Sequence, residues 1–390
     1  MRPLIPFIFF FSLLTVTGCF PAREGGPDTA VRPDDGTVLV EHDAPVDDGD
    51  GADVPDLADS SDLSDVSDPS GPFDGSDVPD LSDDIVTDDA PVPDEDLPPV
   101  AVFFDDQVRA RTIAELGRAT ERVRFVSYTF SDEGVLTTLN ALHGKGVGVR
   151  GVTGATVTAG TPLFPVRTYT ESGDSGIVHS KFFVVDGVTA LLSSSNIAYQ
   201  NIRNFLVVVR DDPALAAALE EEFRQLDEKG RGEAKVRHCD PSCPTAHGEL
   251  FFSPGPSCAA VESMLGAIPA DTVAWLIMYG ITDNAPMFDE LRGLTGRGAL
   301  LHALFDDWTT GSTPANQEVF DDLAAAGADV AYYDGSMTLH HKFLVTPAIV
   351  EFGSMNWTYA GCLRNDEFFF ISDDAALVQP FLDHAQGLFH

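Results

Sequence analysis

Apolar positions recur along this chain in two rhythms, and only from residue 100 onward. Residues 100–104 (VAVFF) form a short apolar run that predicts a buried strand. Residues 108–120 repeat apolar positions at helical spacing, and 123–130 (VRFVSYTF) alternate as a strand does. A helix is predicted over 134–143, closed by Gly144, and a further strand over 147–152. The same order returns as strand 250–252, helix 257–268, strand 272–279, helix 286–294, strand 298–305, helix 315–326 and strand 328–332. A β-α-β-α-β unit repeated after roughly 150 residues predicts two α/β halves, each with a mainly parallel sheet flanked by helices. The halves are expected at 100–212 and 250–390. A connector, 213–249, holds one helix over 213–226.

Residues 22–99 carry no apolar period, and hold 25 acidic and 2 basic side chains among Pro, Ser and Gly. Such a stretch buries too little surface to offset its ordering entropy, so 20–99 is expected to be a disordered, self-repelling linker. As a flexible coil it spans about 50 Å. Ahead of it, Arg2 and the apolar run 5–16 read as an export signal too short to cross a bilayer. That run ends in Val16-Thr17-Gly18-Cys19, which resembles the lipobox of bacterial lipoproteins. The resemblance implies a signal peptide over 1–19, lipidation of Cys19, and an exported lipoprotein tethered to the outer membrane at its periplasmic or cell-surface face.

Charge narrows the partners. Residues 100–390 hold 37 acidic and 20 basic side chains, so the folded part is acidic as well. Tight nucleic-acid binding needs a basic surface that displaces counterions, which argues against that partner. In an oxidising compartment Cys239, Cys243, Cys258 and Cys362 are expected as disulfides. The competing reading is a zinc cluster of His238, Cys239, Cys243 and His247.

Candidate chemistry concentrates in two stretches 161 positions apart, His179-Ser-Lys181 and His340-His-Lys342. Alternate residues of a strand share a face, so each His lies beside its Lys. Asp186-Gly187 predicts a two-residue hairpin turn whose return strand, 188–192, brings Ser194 and Asn196 back beside His179. Thr346-Pro347-Ala348 makes the corresponding turn for Ser354 and Asn356. A neutral His nitrogen can attack phosphorus, while ammonium and amide groups hold the non-bridging oxygens. A second, protonated His can donate to the leaving oxygen. Two facing half-sites supply both histidines, and the lysines carry the charge without a metal or other cofactor.

The pattern His-x-Lys, four residues, Asp, six residues, Gly-Ser-x-Asn resembles the phospholipase D superfamily, which includes phospholipases D, cardiolipin synthases and a bacterial endonuclease. The resemblance covers about residues 100–390. It implies His179 as nucleophile, His340 as acid/base, and Lys181, Lys342, Asn196 and Asn356 as the phosphate-binding set, with the motif serines Ser194 and Ser354 also expected to bind the substrate phosphate. Asp186 belongs to the same motif, and Glu367, in Asn365-Asp366-Glu367, matches a residue that orients a catalytic His. The expected activity is phospholipase D-type hydrolysis of a phospholipid headgroup bond by a monomer, through a phosphohistidine. A nuclease, a phosphatidyltransferase and a non-catalytic binding module are the alternatives.

Three departures stand out. Ser193 replaces the first motif's Gly, the second motif has Thr346-Pro347 in place of Asp, and Leu206 lines up with Glu367. The missing Asp leaves the orientation of His179 as the open question.

Overall fold

A computed structural model describes residues 97–389, apart from 171–175, 237, 256, 308, 311–312 and 315. The expected signal peptide, Cys19 and nearly all of the linker lie outside the described residues. Among the described residues no helix is long and apolar enough to cross a membrane.

The first half runs β1 (Val100–Phe104), α1 (Asp106–Leu116), β2 (Arg122–Ser127), α2 (Glu133–Gly144), β3 (Gly148–Thr153), β4 (Val166–Thr168), β5 (Phe182–Val185), β6 (Thr189–Ser193), β7 (Ile202–Arg203), β8 (Phe205–Arg210) and α3 (Pro213–Glu228). The second half opens with β9 (Cys243–Pro244), β10 (Glu249–Phe252), α4 (Ser257–Ala267), β11 (Val273–Met278), α5 (Phe288–Gly296) and β12 (Leu300–Phe305). After a small hairpin, β13 (Thr309–Thr310) and β14 (Thr313–Pro314), come α6 (Gln317–Ala325), β15 (Asp329–Tyr332), β16 (Thr338–Leu339), β17 (Lys342–Val345) and β18 (Val350–Gly353). The chain closes with α7 (Tyr359–Leu363), β19 (Phe368–Ser372) and α8 (Ala375–Leu388).

Both sheets are duplicated α/β structures of the expected kind. The first has the order β1-β8-β6-β5-β2-β3-β4, the second β15-β12-β11-β17-β18-β19-β10-β9. Within these two sheets parallel pairing is confined to β2-β3-β4 and β11-β12-β15, where helices or long crossovers return the chain. The hairpins β5-β6 and β17-β18 reverse direction, so the rest of each sheet is antiparallel and less of it is parallel than expected.

Three cores account for the apolar runs. Helices α1 and α2 cover one face of the first sheet, with Phe125, Leu139 and Val149 in that core. Helices α4, α5 and α6 do the same for the second sheet, around Leu265, Leu291 and Leu323. The inner faces of both sheets share a third core with α3 and α8. There Phe205 packs edge-on against Phe343, Phe352 and Phe381, and Phe182 against Phe368. Each buried Phe adds roughly 1.5–3 kcal/mol, so this layer holds the two halves as one body. Strands buried on both faces read as continuous apolar runs, as β5 (FFVV) does.

Helix α3, read from sequence as part of a connector, packs on β2, β3, β5 and β6 and closes the first half as α8 closes the second. Asp212 caps it by accepting from Ala214 N and Leu215 N, with Pro213 in the first turn. Cys258–Cys362 ties α4 to α7, and Cys239–Cys243 closes a short loop. The second bond takes both thiols out of the zinc reading, and His247 pairs with Asp374 at 2.7 Å instead.

One core residue makes stability depend on pH. Glu351, on β18, is 1 % exposed, and burial pushes its carboxyl up to about 8, offset only in part by Trp357 and the Leu344 amide. The folded chain therefore keeps a proton that the unfolded chain loses near its ordinary value. Stability is full below that value and falls as pH rises toward about 8, by up to the order of 5 kcal/mol. Glu351→Gln should flatten this dependence, with a gain in Tm at pH 8 well above any gain at pH 5, measured by thermal melts at both pH values.

Candidate active site

Each His-x-Lys stretch is held by the opposite half. His179 N and Ser180 N both donate to Asp366 O, at 2.9 and 2.7 Å. Ile177 N donates to the Asn365 side chain, and Asp366 N returns to Ile177 O. In the other direction β16 pairs with β7, and His340 N donates to Arg203 O at 2.9 Å. The exchange follows a pseudo-twofold axis, so neither half is complete alone.

Within this exchange the first histidine finds its carboxylate. His179 Nδ1 lies 2.6 Å from Glu367 Oε1, with side-chain exposures of 2 % and 0 %. Burial, helped by the Lys181 and Lys342 charges, holds the imidazole below its ordinary range against the opposing pull of Glu367. Burial opposes ionisation of Glu367 too, but His179, Lys181 and the Ser354 hydroxyl outweigh it and keep the carboxylate ionised. A neutral His179 then donates its Nδ1 proton to an ionised Glu367, which leaves the Nε2 lone pair for chemistry. Lys342 acts on His179 from the far half, so the charges of both half-sites meet at one centre.

The second histidine has different company. Lys342 Nζ lies 3.1 Å from both ring nitrogens of His340, and Tyr279 packs on that ring at 4.7 Å between centroids. The same ammonium is 4.8 Å from the Tyr279 ring centre. Lys181 Nζ donates to His179 O at 2.7 Å. Asn196 and Asn356 follow the ends of β6 and β18, both buried. The bridges Phe130–Ile197 and Ile281–Trp357 fix the residue after each Asn against the end of β2 or β11. His341, adjacent in sequence, joins Asp105 and His384 instead, with its Nε2 3.3 and 3.1 Å from them.

Several sequence-based assignments are corrected. Asp186 has no part in the chemistry. It occupies the hairpin turn with φ 52°, and its carboxylate accepts from the backbone N–H groups of Thr120, Glu121 and Arg122. The whole of β5 separates it from Lys181, on the order of 16 Å along the strand. The absent Asp in the second motif therefore costs the site nothing. Thr346 stands there and closes its own turn, accepting from Ala348 N and Ile349 N. The main ground for a degenerate, non-catalytic site goes with it.

Ser194 and Ser354, expected to bind the phosphate, are both tied to the backbone of the neighbouring strand. Each hydroxyl accepts from the backbone, Phe205 N at 3.1 Å and Phe368 N at 3.0 Å, and Ser354 donates to Glu367 Oε2 at 2.6 Å. At Gly353 an added Cβ would meet Phe368 O at 2.4 Å, so close approach demands glycine there. Ser193 fits its own half, where its hydroxyl donates to Phe205 O at 2.8 Å.

Sequence reading also missed the support behind the site. Asp366 accepts from Gly232 N and lies 2.6 Å from Lys235, whose ammonium also pairs with Glu222. This buried cluster anchors the segment whose carbonyl holds His179. Asp366 stands in the Asn-Asp-Glu triplet and so was in view, but nothing in the pattern around Lys235 marks it. Gln in place of Glu367 keeps an acceptor for Nδ1 but removes the charge. Glu367→Gln should lower turnover about 10²-fold, and Glu367→Leu further, in initial-rate assays at neutral pH.

A duplicated α/β chain that brings two His-x-Lys stretches together from opposite halves has the architecture of the phospholipase D class. The chain belongs to that family: the model of the cardiolipin synthase, phospholipase D-like domain matches residues 112–227 and 269–388. The chain is 31 % identical over 131 residues to a mitochondrial cardiolipin hydrolase of Xenopus tropicalis, a match covering 31 % of this chain and 61 % of the relative. The Xenopus laevis protein of the same description is 31 % identical over 134 residues, with 63 % of its length covered. The chain thus spans less than two thirds of these curated relatives. Among solved structures, a phosphatidylserine synthase from Haemophilus influenzae superposes with a TM-score of 0.56 at 13 % identity, over 74 % of this chain and 86 % of that one. A polyphosphate kinase from Porphyromonas gingivalis gives 0.54 at 12 % identity, over 75 % and 50 %. At such identities the two structures share the fold alone.

Proposed function

We propose that this chain is a phosphodiesterase that hydrolyses a phospholipid headgroup bond through a covalent phosphohistidine on His179. The observation that carries the reading is the buried His179–Glu367 pair formed between the halves; with its Nδ1–H directed at that carboxylate, a neutral His179 offers Nε2 as the nucleophile. In the first step Nε2 attacks phosphorus, and the bond to the leaving oxygen breaks as His340 gives that oxygen a proton. In the second step His340 takes a proton from water, the hydroxide displaces His179, and the phosphate monoester departs. Lys181, Lys342, Asn196 and Asn356 hold the non-bridging oxygens throughout. The lysines supply the charge that metal ions supply at other phosphoryl-transfer sites.

A lipid is favoured as substrate because residues 100–390 are acidic and because the relatives are described as cardiolipin hydrolases. An anchor at Cys19 and an acidic tether over 20–99 would hold the enzyme at a membrane face, as a monomer carrying both half-sites. The test is incubation of the protein with vesicles of mixed phospholipids including cardiolipin, with a chelator present. Release of phosphatidic acid is expected. Cleavage of DNA without lipid turnover would overturn the lipid reading, and a strict need for a divalent ion would overturn the mechanism. The same intermediate can pass its phosphatidyl group to an alcohol, so added glycerol shows whether transfer competes with hydrolysis.

A further inference from the structure

The pseudo-twofold exchange identifies the counterpart of Glu367, and it is not Leu206. Phe205 N donates to Ser194 Oγ as Phe368 N donates to Ser354 Oγ. Ser193 pairs with Leu206 as Gly353 pairs with Phe369. Arg203 O accepts from His340 N as Asp366 O accepts from His179 N. These three correspondences place Phe205 on Phe368 and Arg203 on Asp366, so Asn204 occupies the position of Glu367. Offsets counted along the chain point to Leu206 because α7 lengthens the connection after Asn356.

Asn204 is 1 % exposed, and neither its Oδ1 nor its Nδ2 has a hydrogen-bond partner among the described residues. Its backbone is fixed on both sides, since Asn204 N donates to Asp105 Oδ1 and Asn204 O accepts from Asp105 N. Burying an amide without partners is unfavourable, and a bound state in which it gains one can recover that cost. In the other half the equivalent side chain reaches across to the ring of the opposite histidine.

We propose that Asn204 is the positioning residue of His340, an amide in the place where the other half carries a carboxylate, so that the two histidines hold fixed and unequal roles. The inference rests on the phosphohistidine reading above. Lys342 lies against the His340 ring in this structure, and it has to turn toward a substrate phosphate. With Lys342 turned away, the ring can direct Nδ1–H at Asn204 Oδ1. A neutral amide orients the imidazole without stabilising its cation, which suits a group that gives up a proton. The Glu367 carboxylate instead stabilises positive charge on His179, which suits the nitrogen that becomes bonded to phosphorus.

The test is Asn204→Asp, with Asn204→Leu beside it. Lys342, Tyr279, Asp306 (which holds Leu339 N), Arg203, Asp105 and His341 lie around His340, His179, Lys181 and Glu367 face it from the other half-site, and both variants leave all of them in place. A carboxylate at 204 should raise the titration of His340. The alkaline limb of kcat/KM should then move up by about one pH unit or more. Asn204→Leu should lower kcat/KM without that upward move. Imidazole ¹⁵N shifts of His340, assigned by their loss in His340→Ala, read the same titration with no substrate present. Thermal melts confirm that each variant is folded. A folded Asn204→Asp with unchanged ¹⁵N titration overturns the assignment of Asn204. An upward ¹⁵N titration with no phosphodiesterase activity in the parent protein upholds the pairing and sinks the proposed function instead.

Discussion

His179→Ala is expected to abolish turnover, by about 10⁵-fold or more, while leaving the fold intact. The magnitude follows from the role: a nucleophile that forms the covalent intermediate has no substitute, and groups acting as a unit lose nearly everything when one is removed. Water cannot take its place efficiently, because the site positions a base for the second step and not for the first. The fold should tolerate the change because His179 is anchored through its backbone, with its N–H on Asp366 O. Glu367 would be left as a buried carboxylate still accepting from Ser354 and close to Lys181, which limits the damage. Turnover is measured as phosphatidic acid release from vesicles, with melting curves recorded alongside. Combining His179→Ala with Glu367→Gln should cost little beyond His179→Ala alone, since Glu367 acts through the histidine. Retained turnover in His179→Ala would overturn the assignment of the nucleophile.

The elements and the pairing of the halves were legible because burial writes itself into the apolar rhythm. The strands around Phe182, Phe205, Phe343 and Phe368 are buried on both faces, and such burial leaves an unbroken run of large apolar side chains in the sequence. The Asp186-Gly187 turn was legible because both residues adopt positive φ, a conformation that this pair tolerates. The same residue shows where motif spacing misleads. A carboxylate at a fixed offset from a His and a Lys looks like part of their chemistry, yet it sits at the far end of β5 and serves three backbone amides.

The resemblance pointed to Glu367 as the carboxylate behind a histidine, but that this histidine is His179 was beyond sequence reasoning for a related reason. The contact joins residues 188 positions apart through an exchange between halves, and no local period records it. The mistaken match of Glu367 with Leu206 has a different origin. Offsets counted along the chain absorb insertions silently, and only paired hydrogen bonds show that α7 displaces the register. Lys235, which pairs with Glu222 and Asp366, carries no pattern at all. Its position is set by tertiary packing behind the site, a layer that sequence does not order.

His340→Ala should separate the two chemical steps and show directly which histidine becomes bonded to phosphorus. With a natural headgroup, loss of the acid should lower turnover by about 10³–10⁴-fold, because an alkoxide leaves poorly without a proton. A p-nitrophenyl phosphodiester needs no such help, so the first step should survive in the variant. The second step still lacks its base. Hydrolysis of the intermediate then becomes limiting, and a burst of nitrophenol close to one per chain should precede a slow steady state. The expected product is a phosphoryl adduct on the peptide that contains His179, stable in alkali and lost in acid, as a phosphorus–nitrogen bond requires. Mass spectrometry of the quenched variant reads both its presence and its position. The Glu367 carboxylate favours this outcome because it compensates the positive charge on the ring as the adduct forms. An adduct on the His340 peptide in His179→Ala, with none on His179 in His340→Ala, would reverse the roles. That reversal would place the covalent step in the half-site that carries Asn204 in place of a carboxylate, where the charge formed on the ring has no anionic partner in the position equivalent to Glu367.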